Sequence, residues 1–528
     1  MTTARVSRSA RSIGLLAGLT LGAVALSPGC KSSAAGVGLS KEQQGDDAFA
    51  EVPMPPADGP KLVALREGTP ILDRPRPDAR TIGELRLGAS IARSVEPYSR
   101  KGCEEGWYAV RPRGFVCVGQ IATLAASAAD VLPAGPDPTR PLPYRYGRAR
   151  ADVVPTYSRL PTLTEQTSSE PDLARHLPRS QGEGDPLGAA ANDVPLDQRG
   201  VPTGPPVILP GGDGVDASSR RTTASFFTFA SGERIPPLVP LSVLRGEAPA
   251  PAPLRRGSGV AVTGVFSADG GAAMRRFGLL TDGRVVPIDR LKPSLGSTWH
   301  GIDLEKVGLP VGFVHKRGVT TFALSKGKAE AQDEELDRRT AVPLTGRFRT
   351  IDGVRYDQAK EGFWLRSQDL IVVVRRSKLP EFAKGSQKWL DVSLANQTLT
   401  AYEGSKPVFA TLISSGRDQL KDPAVSASTV RGTFRIKSKH VTRALDSREV
   451  HGEFDVADAP WVMEFEPGYA LHGMYWSDGV GEAHGFHNIG LTPIDARRIF
   501  MWSDPEVPEG WHGVFDTGET STIVFVRP

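Results

Sequence analysis

At 528 residues the chain is too long for a single small module and holds material for three or four domains. Its 57 glycines and 44 prolines make up about a fifth of the sequence, which excludes an architecture of long helices. The formal charge of +4 falls to about +1 once Arg5, Arg8 and Arg11 are set aside, excluding nucleic-acid binding driven by bulk charge. Those arginines open the chain and are followed by the apolar run Ile13 to Leu26 and then small residues. As helix, that run spans about 21 Å, short of the roughly 30 Å hydrocarbon core of a bilayer. Residues 1–30 therefore read as a cleaved export signal.

The end of that signal, Leu-Ser-Pro-Gly-Cys, resembles the lipobox of bacterial lipoproteins, with Ser27 where leucine is usual. The resemblance implies lipidation of Cys30 and a membrane partner through the lipid anchor. It also implies a location in the bacterial cell envelope, exported and facing the periplasm or the cell surface. Residues 31–60 are rich in small, polar and acidic residues and read as a flexible tether. The two remaining cysteines, Cys103 and Cys117, fall in one strand-rich region and suit a disulfide in an oxidising compartment.

Residues 62–122 alternate apolar and polar positions over short runs broken by glycine and proline, the pattern of a small all-β barrel. The order of its runs, with a closing GWYAV and GFVCV, resembles a bacterial SH3-like domain, which implies wall-peptide binding or a spacer role. Fifteen prolines between Val131 and Pro210 mark residues 123–223 as Pro-rich linker. Strand-like runs return over residues 224–380, with Asp282-Gly283 as a hairpin signal. GFVCVGQ, GRVVPIDRL and GFWLRSQDL are loosely similar closing strands, a hint of further SH3-like units.

The last 140 residues hold five of the eight tryptophans and six of the nine histidines, a concentration that points to a site. Leu390, Val392 and Leu394 alternate with polar residues, Ala395 and Asn396 turn, and Leu399 and Ala401 return, predicting a hairpin. Thr492 as N-cap, Pro493 at the first position and Asp495 in the first turn predict a helix over ARRIFMW. Over residues 386–528 the runs WLDVSLANQTLTAYEGSKPVFATLISSG, STVRGTFRI, WVMEFEPGYALHGMYW and AHGFHNIGLTPIDARRIFMW resemble the catalytic domain of L,D-transpeptidases, which cross-link peptidoglycan stem peptides. The expected fold is thus mainly β and multidomain: small SH3-like barrels plus a C-terminal L,D-transpeptidase-like domain with one or two short helices.

The resemblance implies a cysteine thiolate attacking a peptide carbonyl, a histidine moving the proton, and backbone N–H groups at the tetrahedral oxygen. Carried over by position, these roles fall on His472, His484, Gly485 and Asn488, with Trp461, Tyr475 and Trp476 as core or as a groove for the stem peptide. The nucleophile position holds Phe486, and no cysteine follows Cys117. A phenyl ring has no lone pair with which to form a thioester. The expected protein is a non-catalytic peptidoglycan-binding or scaffold protein of the envelope, with stem peptides as partner and no cofactor or metal. The alternatives are a peptidoglycan transferase or peptidase that uses Ser415, Ser477 or a histidine as nucleophile, or a zinc ion held by His472, His484 and His487.

Overall fold

In the computed structural model, residues 52–174, 190–204, 252–269, 274–445, 454–515 and 518–528 are described. Cys30 and the export segment lie outside them. The fold is mainly β, with short strands in several sheets. The described helices are α1 (Leu163–Ser169), α2 (Leu304–Val307) and α3 (Pro493–Trp502), besides single 3₁₀ turns. No described helix is long and apolar enough to cross a membrane.

The first β unit pairs Lys61–Ala64 with Ser90–Ala92 and Ala122–Thr123, and Thr69–Leu72 with Thr81–Leu85. Its buried side chains include Leu62, Ile71, Leu85 and Val116, and Trp511 and Val514 from the far end of the chain join them. Gly83 is needed there because a Cβ would sit 2.2 Å from the Trp511 ring. Next to it, Gly513–Phe515 pairs with Thr81–Leu85 on one side and Ser438–Leu445 on the other, so one sheet runs from this unit into the C-terminal region.

Cys103 and Cys117 are joined by a disulfide, with their Cα atoms 5.8 Å apart. The bond closes a loop spanning a sequence separation of 14, for which the chain-entropy contribution is about 3 kcal/mol. The Cys103→Ser/Cys117→Ser double variant should lose about that much in urea denaturation. An unchanged midpoint would show that the denatured chain is not restrained by this link.

The Pro-rich stretch departs from the linker expectation in its described part. Arg145–Ala149 is a strand paired with Gly259–Asp269 and Leu291–Ser294. Its prolines lie outside that strand, and Tyr144, Tyr146 and Ala149 are buried. Helix α1 follows, its first turn closed by reciprocal bonds between Thr162 and Glu165. It is tied to the sheet by Arg275, fully buried, whose guanidinium meets both Glu170 oxygens at 2.8 and 2.9 Å and both Asp289 oxygens at 2.9 and 3.0 Å.

A seven-stranded sheet runs from Val311–Val314 to Leu370–Val373, with Val314, Val319, Val342 and Leu365 in its core. Two of the similar closing runs share a form: Val285–Pro287 and Trp364–Arg366 each lead through one 3₁₀ turn into a further strand.

In the C-terminal region the predicted hairpin is Lys388–Ser393 against Thr398–Glu403. The last strand, Ile523–Arg527, lies parallel to Lys388–Ser393. Nearly every residue of that hairpin is buried, because one face meets the main core and the other carries Trp389 stacked on Tyr402 at 4.2 Å. A second layer pairs Ser438–Leu445 with Val456–Glu466, and the latter with Tyr469–Gly473. Helix α3 forms where expected, with the Thr492 hydroxyl accepting from the Asp495 N–H. It buries Ile499 and Phe500 against this layer.

Candidate functional site

The site is assembled from two parallel strands and the loop between them. Tyr469–Gly473 carries His472, which lies opposite Gly490 of Ile489–Leu491. The intervening residues 474–488 carry His484, Gly485 and Phe486. Segment 413–417 runs beside this loop. Gly485 donates its N–H to the Ser415 carbonyl at 2.8 Å and accepts from the Arg417 N–H at 2.9 Å, while Gly481 donates to the Ile413 carbonyl. A Cβ on Gly485 would lie 3.0 Å from the Ser415 carbonyl oxygen, so a small residue lets the two backbones meet.

Asn488 is buried and fixes the end of the loop: its Oδ1 accepts from the Ala470 N–H at 2.8 Å, and its own N–H donates to the Phe486 carbonyl at 2.6 Å. That tight turn forces His487 to φ 60°, a strained region for a residue with a Cβ. His487 is held by an imidazole N–H donated to the Ser426 carbonyl at 2.8 Å and by the rings of Phe486 (4.3 Å) and Tyr469 (5.1 Å). Phe486 is itself half-buried.

His472 is 4% exposed and stacks on Trp476 at 5.3 Å. Its Nδ1 lies 3.3 Å from the Gly473 carbonyl, which can only accept, so the proton sits on Nδ1 and Nε2 presents a lone pair. Burial pulls this imidazole down to about 4, against the Gly473 hydrogen bond and with the Arg443 charge adding to the fall. The ring is neutral at physiological pH. Because it titrates near 6.5 when unfolded, the folded chain binds fewer protons between these values. The contribution of His472 to stability is therefore complete above about pH 6.5 and falls by roughly 3 kcal/mol as the pH drops toward 4. His512, also buried and lowered to about 4, adds a similar slope. The histidines favour a lower urea midpoint at pH 4.5 than at pH 7, and His472→Phe should flatten that fall. A variant with the parent's pH slope would contradict the assignment.

The other expected site residues are dispersed. His484 is exposed, its Nε2 2.6 Å from Glu482 Oε2. The two serines named as alternative nucleophiles both accept hydrogen bonds. Ser415 is buried, its Oγ accepting from Gln397 Nε2 at 2.7 Å, and Ser477 Oγ accepts from the Gly479 N–H at 3.1 Å. The three imidazoles of the zinc alternative face different partners, and among the described residues no group of three His, Cys, Asp or Glu side chains converges to hold a metal.

The groove expectation is corrected for two of its three residues. Trp461 and Tyr475 are fully buried, the indole N–H donating to the Pro141 carbonyl at 2.6 Å and the phenol to the Ala457 carbonyl at 2.8 Å. They are core because strands from the Pro-rich stretch cover them: Tyr146 stacks on Tyr475 at 4.0 Å. Trp476 stays half-buried, its carbonyl accepting from Arg148 at 2.7 Å.

Sequence reading missed the side chains that hold the loop from outside. Arg339 Nη1 pairs with Asp478 at 2.8 Å, and Arg338 pairs with Glu482. Both arginines lie about 140 residues upstream, and no local pattern marks a charged residue as a long-range latch.

Residues 387–508 match the YkuD family model, the L,D-transpeptidase catalytic domain. Among solved structures, an L,D-transpeptidase from Stackebrandtia nassauensis is 19% identical with a TM-score of 0.20, the match covering 29% of this chain and 62% of that one. One from Xylanimonas cellulosilytica is 20% identical with a TM-score of 0.20, over 29% of this chain and 65% of that one. The match thus spans less than two thirds of either. The catalytic domain of the E. faecium L,D-transpeptidase is 21% identical with a TM-score of 0.20, over 27% of this chain and 98% of that domain. No curated protein matches the chain. The loop that bears Phe486 falls inside the L,D-transpeptidase-like domain.

Proposed function

We propose that this chain is a lipid-anchored protein of the bacterial cell envelope whose L,D-transpeptidase-like domain binds peptidoglycan stem peptides without cross-linking them. What supports this reading is Phe486 where the sequence resemblance places the family's nucleophile, with no cysteine after Cys117. A carbon ring supplies no electron pair to a carbonyl carbon, and a neutral His472 has no thiol to deprotonate. Anchoring through Cys30 and SH3-like character upstream belong to the same reading and rest on the sequence resemblances above. Purified protein is expected to sediment with isolated sacculi and to leave their muropeptide profile unchanged after incubation. New 3–3 cross-links or shortened stem peptides that disappear in His472→Ala would overturn the non-catalytic reading; failure to sediment would overturn the wall-binding one.

A further inference from the structure

The seven-stranded sheet ends on Lys328–Leu336, whose outer edge has no strand partner among the described residues. This strand is exposed along almost its whole length and carries Glu330, Asp333, Glu334 and Glu335, none of them in an ion pair among the described residues. Four antiparallel steps across the sheet lead from it to Ala341–Ile351. That strand pairs with Val354–Ala359 on one side, and with Val311–Val314 on the other only over residues 341–343. Its second edge is therefore open from Thr345 onward, where Thr345 to Thr350 are all exposed. Here stand Arg347 and Arg349, also outside any ion pair among the described residues, and Phe348, 50% exposed with the Arg355 guanidinium 4.0 Å from its ring centroid. Two-residue turns at Lys326-Gly327 and Asp352-Gly353, all four residues at positive φ, close the two hairpins.

An open edge presents N–H and C=O groups that a further strand can complete, and its side chains decide which strand that is. Like edges repel here. Antiparallel pairing of Lys328–Leu336 with its own copy about Gln332 sets Glu330 against Glu334, and pairing of the other edge about Phe348 sets Arg347 against Arg349. Opposite edges meet without that cost. One brings carboxylates and the other guanidiniums, with Phe348 as the apolar anchor between them.

We propose that copies of this chain associate edge to edge through this sheet, the acidic edge of one taking the basic edge of the next. The contact is heterologous, so every added copy leaves one edge of each sign free and the association is open-ended. An edge of this length makes a small interface, which calls for protein on the order of 0.1 mM. The proposal does not depend on the function read at the Phe486 loop. Sedimentation velocity of the full chain in about 0.01 M salt should give a weight-average mass that climbs with concentration without levelling at a dimer. In about 1 M salt, where the Debye length is about 3 Å, the chain should be monomeric. The variants Glu330→Lys/Glu334→Lys/Glu335→Lys and Arg347→Glu/Arg349→Glu, all at exposed positions, should each self-associate at least about ten-fold more weakly. Mixed in equal amounts, they again present edges of opposite sign and should associate as the parent does. A monomer throughout in low salt, a plateau at the dimer, association that survives high salt, parent-like association by both variants, or a mixture no stronger than its components overturns the proposal.

Discussion

Asp458→Ala is expected to lower the free energy of unfolding by about 3–5 kcal/mol, the range for breaking a buried ion pair from one side. Asp458 is 6% exposed and joins three parts of the chain. One carboxylate oxygen meets Arg86 of the first β unit at 2.6 Å and accepts from Thr442 at 2.8 Å; the other accepts from Thr281 at 2.5 Å. Burial alone pushes this carboxyl up, but Arg86 and the two hydroxyls outweigh it and hold it below the usual carboxylate range. Without it, Arg86, 7% exposed, keeps Glu67 at 3.1 Å as its ion-pair partner among the described residues. Asp458→Asn keeps an acceptor but loses the charge and should cost less. Urea denaturation followed by tryptophan fluorescence measures both. A loss below about 1 kcal/mol for the alanine variant would mean that the junction is held by the shared sheet alone.

Phe486→Cys should make this loop one that is acylated by a penem-type acyl donor, seen as a single added mass on the intact protein. Two features of the site support a gain from nothing. His472 is neutral with a free Nε2, the protonation state a general base requires, and the Gly485 and Asn488 bonds that shape the loop are backbone-centred and survive the change. Adding His472→Phe should slow acylation at least ten-fold, the lower range for loss of a general base. The falsifying outcome is an introduced thiol that reacts with a small alkylating agent but never with the acyl donor, since a reachable thiol without acylation means the carbonyl-binding geometry is gone.

Local chemistry wrote the elements that depend on near neighbours. The hairpin of Lys388–Ser393 and Thr398–Glu403 follows from alternation and a turn, and helix α3 from its cap and first-turn proline. The reading of Pro-rich linker missed the strand Arg145–Ala149, because proline density is a composition signal whereas burial of Tyr146 depends on Tyr475, more than 300 residues away. Composition, spacing and motif thus established a mainly β chain and the absence of a sulfur nucleophile after Cys117. Only the tertiary structure decided that Trp461 and Tyr475 are core, that Arg338 and Arg339 hold the loop, and that Gly513–Phe515 joins the first unit to the last. Those outcomes rest on pairings between distant segments, whose cost is chain closure and whose gain is burial, and neither quantity is written in a local window of sequence.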